Sequence, residues 1–151
     1  MKKLFLLIIV ALGVMSCEGP MGPKGDRGDG TAWDVFNIEV KSSDWDLIGT
    51  PGGIGSYYRC EVFDDQISKH IYENGTFLIY QFQILENNLE VQTALPYVLH
   101  KENHDGSIQW TETLSYDFAP GSFALYKRYS DFRTDIRTPE SAFYKVVMMW
   151  W

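Results

Sequence analysis

Short segments in which apolar and polar side chains alternate are the feature that most constrains the fold of this chain. The clearest covers residues 76–85, where Leu78, Tyr80, Phe82 and Ile84 occupy one set of alternate positions. Successive side chains of a β-strand point to opposite faces of its sheet, so this period of two predicts a strand. An α-helix, with about 3.6 residues per turn, would scatter the same side chains around its axis.

Seven further segments have the same character and are separated by turn residues. They are residues 33–41, 57–63, 89–93, 97–101, 107–118, 122–129 and 143–150. Asp105-Gly106 and Pro120-Gly121 fall between neighbouring segments, as tight antiparallel connections require. The pattern predicts that residues 31–151 fold as one all-β domain, an antiparallel β-sandwich of about 7–8 strands.

One segment breaks the alternation and predicts a single short helix in the domain. Ile67 and Ile71 are four residues apart, after Asp64 as a candidate N-cap and before Asn74-Gly75 as a candidate end. The alternative at this point is an Asn-Gly hairpin. Residues 130–141 are polar and include a proline, so they are predicted to form a loop before the last strand.

The N-terminus has the pattern of a secretory signal peptide. Lys2 and Lys3 precede an apolar run, residues 4–12, far shorter than the roughly 20 residues of a membrane-spanning helix. The four residues that end at Cys17, Val-Met-Ser-Cys, resemble the lipobox of bacterial lipoproteins. The resemblance implies that residues 1–16 are removed and that Cys17 becomes a lipidated N-terminus whose partner is membrane lipid. The alternative is an ordinary signal peptide with a cysteine nearby.

Residues 17–30 are predicted to link the lipidated cysteine to the domain. Glycine occupies every third position from Gly19 to Gly28, which is the period of the collagen triple helix. A triple helix this short makes too few contacts to offset the entropy lost when three chains are ordered. A semi-extended linker is therefore the first interpretation. The alternative is a stalk that holds a weak homotrimer with help from contacts between domains.

This order of segments resembles a group of small uncharacterised lipoproteins of Gram-negative bacteria, in which a lipobox and a brief collagen-like tract precede a β-rich domain. Within the domain the resemblance rests on residues 43–45, 67–80, 95–97 and 144–147. The group implies an outer-membrane lipoprotein that faces the cell surface. It implies no activity and no ligand.

Charge and cysteine content exclude some classes of protein. The net charge is -7, and it becomes about -9 without Lys2 and Lys3, whereas nucleic-acid affinity comes mostly from basic side chains on phosphates. We therefore expect no nucleic-acid partner. Lipidation of Cys17 leaves Cys60 as the one thiol of the domain, and its place in an alternating strand predicts a buried hydrophobe, not a nucleophile.

No residue pattern predicts a metal or another cofactor. His100 and His104 share a strand face without a third ligand, and the acidic groups at residues 44–46 and 64–65 lack the spacing of a calcium loop. Solvated loop charge and helix capping explain these carboxylates, with a calcium site as the alternative. The glycine-rich residues 49–55 lack the lysine of a phosphate-binding loop.

Five tryptophans are the main candidate for a binding feature. Exposed aromatic faces stack on sugar rings, and Trp45, Trp110 and Trp151 are predicted as ligand-stacking residues. A sugar site requires such a ring to be exposed in a concave patch beside Asp or Asn. The alternative is that most of the tryptophans fill the core.

The favoured function is that of a membrane-anchored, surface-facing lipoprotein that acts as a non-enzymatic binding or adhesion module for a glycan or a protein. One alternative is a carbohydrate- or calcium-binding domain in nutrient capture, including a weak hydrolase, since paired carboxylates are recognised only in three dimensions. The other alternative is a structural component of the cell envelope.

Overall fold

The computed structural model describes residues 30–151, and these form two antiparallel β-sheets and one short α-helix. The strands are β1 (Ala32–Val40), β2 (Asp46–Ile48), β3 (Tyr57–Phe63), β4 (Gly75–Ile84), β5 (Glu90–Ala94), β6 (Tyr97–Glu102), β7 (Gln109–Ala119), β8 (Ser122–Tyr129) and β9 (Ala142–Trp150). The helix α1 (Lys69–Asn74) lies between β3 and β4, and a 3-10 turn (Ser42–Asp44) precedes β2. The predicted all-β class is confirmed. The predicted signal peptide, Cys17 and the glycine tract before Gly30 lie outside the described residues.

Sheet A has the strand order β1-β9-β4-β5, and sheet B has the order β2-β3-β8-β7-β6. Every neighbouring pair among the described strands is antiparallel. The predicted turns at Asp105-Gly106 and Pro120-Gly121 join β6 to β7 and β7 to β8. All eight predicted strands are present, and the ninth, β2, has only three residues, too few for an alternating pattern to be recognised.

The core lies between the sheets, where the inward-facing side chains of both are largely apolar. The ring of Phe77 on β4 stacks on that of Phe118 on β7, with 4.8 Å between centroids, and lies 5.4 Å from that of Phe123 on β8. Ile79 and Leu125 are almost fully buried beside them. Burying a large apolar side chain stabilises the fold by about 1.5–3 kcal/mol, so these contacts hold the two sheets face to face.

The predicted helix is present, but it begins later than its predicted N-cap. Ser68 caps it, since its Oγ accepts a hydrogen bond from the Ile71 amide at 3.2 Å. The carboxylate of Asp64 instead accepts from a backbone amide two residues further on. Gly75 follows the helix with extended backbone and opens β4 directly. A Cβ at Gly75 would lie 2.6 Å from the carbonyl oxygens of Ile71 and Met149, so the close approach of these elements requires glycine.

The two ends of the sandwich are built differently. The chain enters β1 at Ala32, which pairs with Trp150 at the end of β9, and Gly75 at the start of β4 pairs with the same residue. Helix α1 packs against β4, β9 and β7 close to this point. We call this the tether end, because the chain from Cys17 reaches the sandwich here.

The opposite end, which we call the cleft end, carries residues 49–56 and 130–141 as loops, as the sequence predicts for the second of these. The hydroxyl oxygens of Ser56 and Thr134 lie 2.8 Å apart in a buried contact, and the Gly52 amide donates to the same threonine hydroxyl at 3.0 Å. The two loops are therefore tied together. Within residues 30–151 no helix is long and apolar enough to cross a membrane.

Candidate functional site: a cleft between the sheets

Toward the cleft end, the inward-facing rows of side chains change from apolar to polar. On β4 the buried Phe77 and Ile79 are followed, at the same alternation, by Gln81 and Gln83. On β8 the buried Leu125 is followed by Lys127 in the same way. Polar groups at positions in phase with a core do not extend the core. They line a space between the two sheets.

That space is a cleft of about 570 Å³ between sheets A and B. Its size lies within the ordinary range for sites that hold small molecules, about 300–1,000 Å³. Gln81, Gln83 and Tyr144 line it from sheet A. Polar and apolar side chains from sheet B, together with Trp45, line it from the other side. The cleft therefore presents hydrogen-bonding groups next to apolar surface.

Glu112, on the inner face of β7, is the charged centre of the cleft. Its Oε2 lies 3.3 Å from Nζ of Lys127 and 3.9 Å from Nζ of Lys101. Its other oxygen, Oε1, accepts a hydrogen bond from the Trp110 indole N–H at 3.2 Å. Two cations and one N–H thus neutralise and orient this carboxylate. A carboxylate that is removed from water needs such partners.

Three neutral side chains form a second polar group that bridges the two walls, since Tyr97 lies on sheet B and Gln81 and Gln83 lie on sheet A. The hydroxyl of Tyr97 donates to Oε1 of Gln81 at 2.7 Å, and Nε2 of Gln83 donates to the same oxygen at 3.3 Å. Burial, and then the negative charge of Glu112, raise the pKa of Tyr97 above its usual value. The phenol therefore keeps its proton, and its role as donor, throughout the neutral range.

Trp45 stands in the wall of the cleft and is not the exposed stacking platform that the sequence suggests. Only 7% of it is exposed, because it follows the 3-10 turn into the space between the sheets. Its indole Nε1 is buried and has no hydrogen-bond partner among residues 30–151. A buried donor without a partner costs about 1–3 kcal/mol. Trp45 therefore contributes a largely buried wall to the cleft and no exposed ring face for stacking.

Trp110 is partly buried, and one face of its ring is occupied. The guanidinium of Arg137 lies 3.8 Å from the ring centroid, and Nη1 of Arg137 is fixed by both carboxylate oxygens of Asp131 at 2.7 Å each. Beyond Trp110 is a second hollow of about 520 Å³, bordered by His100 and Ser130. A ligand would have to stack on the other face of this ring or displace the arginine.

Trp151 is 64% exposed, but it lies at the tether end, away from the cleft. The three tryptophans predicted to stack on a ligand therefore do not form one patch. Trp45 and Trp110 lie at the cleft wall and at its rim, and the exposed ring of Trp151 belongs to another surface.

The remaining candidate residues serve the fold. Cys60 is buried, as predicted, and burial, together with the charges of Asp44 and Asp46, raises the pKa of its thiol to about 11. Nδ1 of His100 lies 3.2 Å from the Thr111 hydroxyl, and His104 lies in the turn after β6. No cluster of three or more potential metal ligands occurs in the part of the chain that the structure describes.

Sequence reasoning missed the residues that form the cleft, namely Gln81, Gln83, Tyr97, Glu112 and Lys127. The available signal was their phase, since Gln81, Glu112 and Lys127 stand two residues from a buried apolar side chain on their own strand and Tyr97 pairs with buried Leu114. Gln83 continues the same alternation one step beyond Gln81. Phase becomes informative only when the inward face of each strand is known. Comparison of the chain with protein-family models, curated proteins and solved structures found no match.

Proposed function

We propose that this chain is a lipid-anchored lipoprotein that faces the cell surface at the outer membrane and acts as a non-enzymatic binding module. Its ligand is a neutral, hydroxyl-rich molecule, most simply a glycan, held in the cleft between the sheets. The lipobox-like sequence that ends at Cys17 supports the anchor. The polar inner wall of the cleft supports the binding role.

The observation that carries the proposal is the pair of glutamines in phase with the core. Gln81 and Gln83 stand where continued burial would call for apolar side chains, and they bring amide donors and acceptors to the cleft. Amides and a neutral phenol suit sugar hydroxyls, and nearby Leu114 and Tyr144 suit the C–H faces of a sugar ring.

The charges of the cleft support a binding role more than a catalytic one. Glu112, the carboxylate on the inner wall, is engaged by Lys127, Lys101 and Trp110, whereas a carboxylate that transfers protons to a substrate needs an oxygen within reach of it. Glu90 and Glu140 also border the cleft as exposed side chains. The three carboxylates and the two lysines nearly balance, which disfavours a strongly charged ligand.

The test is a glycan-binding screen with the unlipidated chain that starts at residue 18, followed by titration of each bound glycan. Gln83→Leu removes one amide from the cleft and is expected to weaken binding at least tenfold. Gln92→Leu is the matched control, because it makes the same change on the exposed outer side of sheet A. Equal loss in both variants, or no glycan bound by the wild type, would contradict the proposal.

A further inference from the structure

Exposed aromatic side chains are concentrated at the tether end of the sandwich. Among residues 30–151 five aromatic side chains are strongly exposed, and four of these lie there: Trp33 at 70%, Phe63 at 78%, Tyr72 at 50% and Trp151 at 64%. The fifth, Phe143, lies at the start of β9, toward the cleft end. Such clustering is costly in water unless something covers these rings.

Four separate elements bring these rings to the same end. Trp33 is the second residue of β1, and Trp151 directly follows β9, which pairs with β1. Phe63 closes β3 and pairs with Ser122, the first residue of β8. Tyr72 lies on α1 and meets Phe118 near the end of β7, with 5.6 Å between ring centroids. The rings therefore surround one end of the sandwich, with Trp33 and Trp151 on the outer side of sheet A and Phe63 on the outer side of sheet B. We call this set of rings the aromatic end.

The position of the anchor indicates what covers this surface. Twelve residues separate Cys17 from Gly30, and a chain of that length extends at most about 45 Å. A lipid on Cys17 therefore holds the aromatic end, where the chain enters β1, within about 45 Å of the bilayer, closer than it need hold the cleft end. Trp and Tyr favour the interface between lipid and water, where an amphipathic ring meets both phases.

We infer that the aromatic end docks on the phospholipid interface, with Trp33, Phe63, Tyr72 and Trp151 inserted among the headgroups. This inference rests on the proposed lipid anchor, which brings a membrane to this end of the domain. At the same end the acidic side chains Asp64, Asp65 and Glu73 outnumber Lys69, which pairs with Glu73. This balance disfavours an anionic surface, so the partner is a bilayer of zwitterionic phospholipid. Docking at this end directs the cleft, at the other end, away from the membrane.

The test joins the chain from Cys17 to Trp151 to vesicles through a synthetic tether. The Cys17 thiol is coupled to a maleimide phospholipid in phosphatidylcholine vesicles, while Cys60 is buried and out of reach. Phosphatidylcholine brominated on its acyl chains then quenches any tryptophan inserted into the interface. We expect at least 30% of the emission to be quenched, and most of that quenching to be lost in Trp33→Phe/Trp151→Phe.

Two further variants separate docking from simple proximity. Phe63→Ser removes an exposed ring and leaves every tryptophan in place, so it is expected to at least halve the quenching. Ile54→Ser/Ile136→Ser removes two exposed apolar side chains from the loops of the cleft end and is expected to change nothing. Urea midpoints of the three variants confirm that each is folded.

An unquenched wild type would overturn the inference, and so would equal loss in Phe63→Ser and the loop control. Quenching that appears only when anionic lipid is added would overturn the assigned partner. Because the tether is synthetic, the outcome does not depend on whether bacteria acylate Cys17. Fatty-acid labelling of wild type and Cys17→Ser in cells tests that part of the proposed function separately.

Discussion

Lys127 and Glu112 form an ion pair on the inner face of sheet B, with 3.3 Å between Nζ and Oε2. Each lies two residues along its strand from a buried leucine, Leu125 on β8 and Leu114 on β7. Apolar side chains at these two positions would extend the core into the cleft. A charge pair there keeps the cavity open and polar, at a cost in desolvation.

Removing one member of this pair is therefore expected to cost more than removing both. Lys127→Met leaves Glu112 without its nearest cation, which we expect to destabilise the fold by about 1–3 kcal/mol. Glu112→Leu/Lys127→Met is expected to regain most of that loss. Unfolding in urea measures Lys127→Met, Glu112→Leu and the double variant.

The exposed pair of Lys69 and Glu73 on α1, with 3.6 Å between Nζ and Oε1, provides the matched control. Lys69→Met is expected to cost no more than about 0.5 kcal/mol, as exposed helix pairs do. If the double variant of Glu112 and Lys127 loses the sum of its two single effects, the pair does not act as a unit.

Gly75→Ala tests the close approach of α1, β4 and β9. The added methyl group would lie 2.6 Å from the carbonyl oxygens of Ile71 and Met149, so backbone has to shift, at a cost of about 1–3 kcal/mol. Gly30→Ala is the control, because a Cβ there meets nothing within 4 Å. The urea midpoint is expected to fall for Gly75→Ala alone, and an unchanged midpoint would mean that the helix can move aside.

The strands were predictable because their alternation is local. Which face of each strand points into the core was not predictable. On β4 the face with Leu78, Tyr80, Phe82 and Ile84 is the more apolar in sequence. The structure nevertheless places the other face, with Phe77 and Ile79, in the core. On the outer face Leu78 pairs with Val147 on β9, which in turn pairs with Val35 on β1. Such cross-strand matches depend on register, which the segment alone does not reveal.

The cleft could not be predicted from the sequence for the same reason. Gln81 and Lys127 read as the polar half of an ordinary alternating strand until the inward face of β4 and β8 is known. Trp45 is a related case: an indole beside two aspartates suggests an exposed loop, whereas the 3-10 turn directs it into the core. Tertiary packing decided these positions, and local propensity did not.

The contact between Asp131 and Arg137 predicts a pH dependence of stability. Burial disfavours the charged carboxylate, but the hydrogen bonds and charge of Arg137 together with hydrogen bonds from backbone amides outweigh it, so the pKa of Asp131 lies below its usual value. A lowered folded-state pKa adds stability above the usual aspartate pKa of about 4, and that stability is lost as the pH falls through the lowered value. Asp131→Asn removes this contribution.

Urea midpoints between pH 7 and pH 2 test this dependence. The midpoint of Asp131→Asn is expected to lie below that of wild type at pH 7 and to approach it as the pH falls. Arg137→Met removes the guanidinium that bonds Asp131 and also stacks on Trp110. The pH dependence of this variant's midpoint is therefore expected to flatten in the same way. A constant offset between wild type and Asp131→Asn at every pH would assign the contact no role in the titration.

The glycine period at residues 19–30 predicts a definite solution mass. Four triplets offer little contact to offset the entropy of ordering three chains, so we expect unlipidated chains that start at residue 18 and at Thr31 both to be monomers by light scattering. A trimer that falls to a monomer on truncation would contradict the linker interpretation and make the tract a stalk. Under the proposed function, three linked clefts would then bind a repeating glycan with avidity on the order of 10²–10⁴ times that of one cleft.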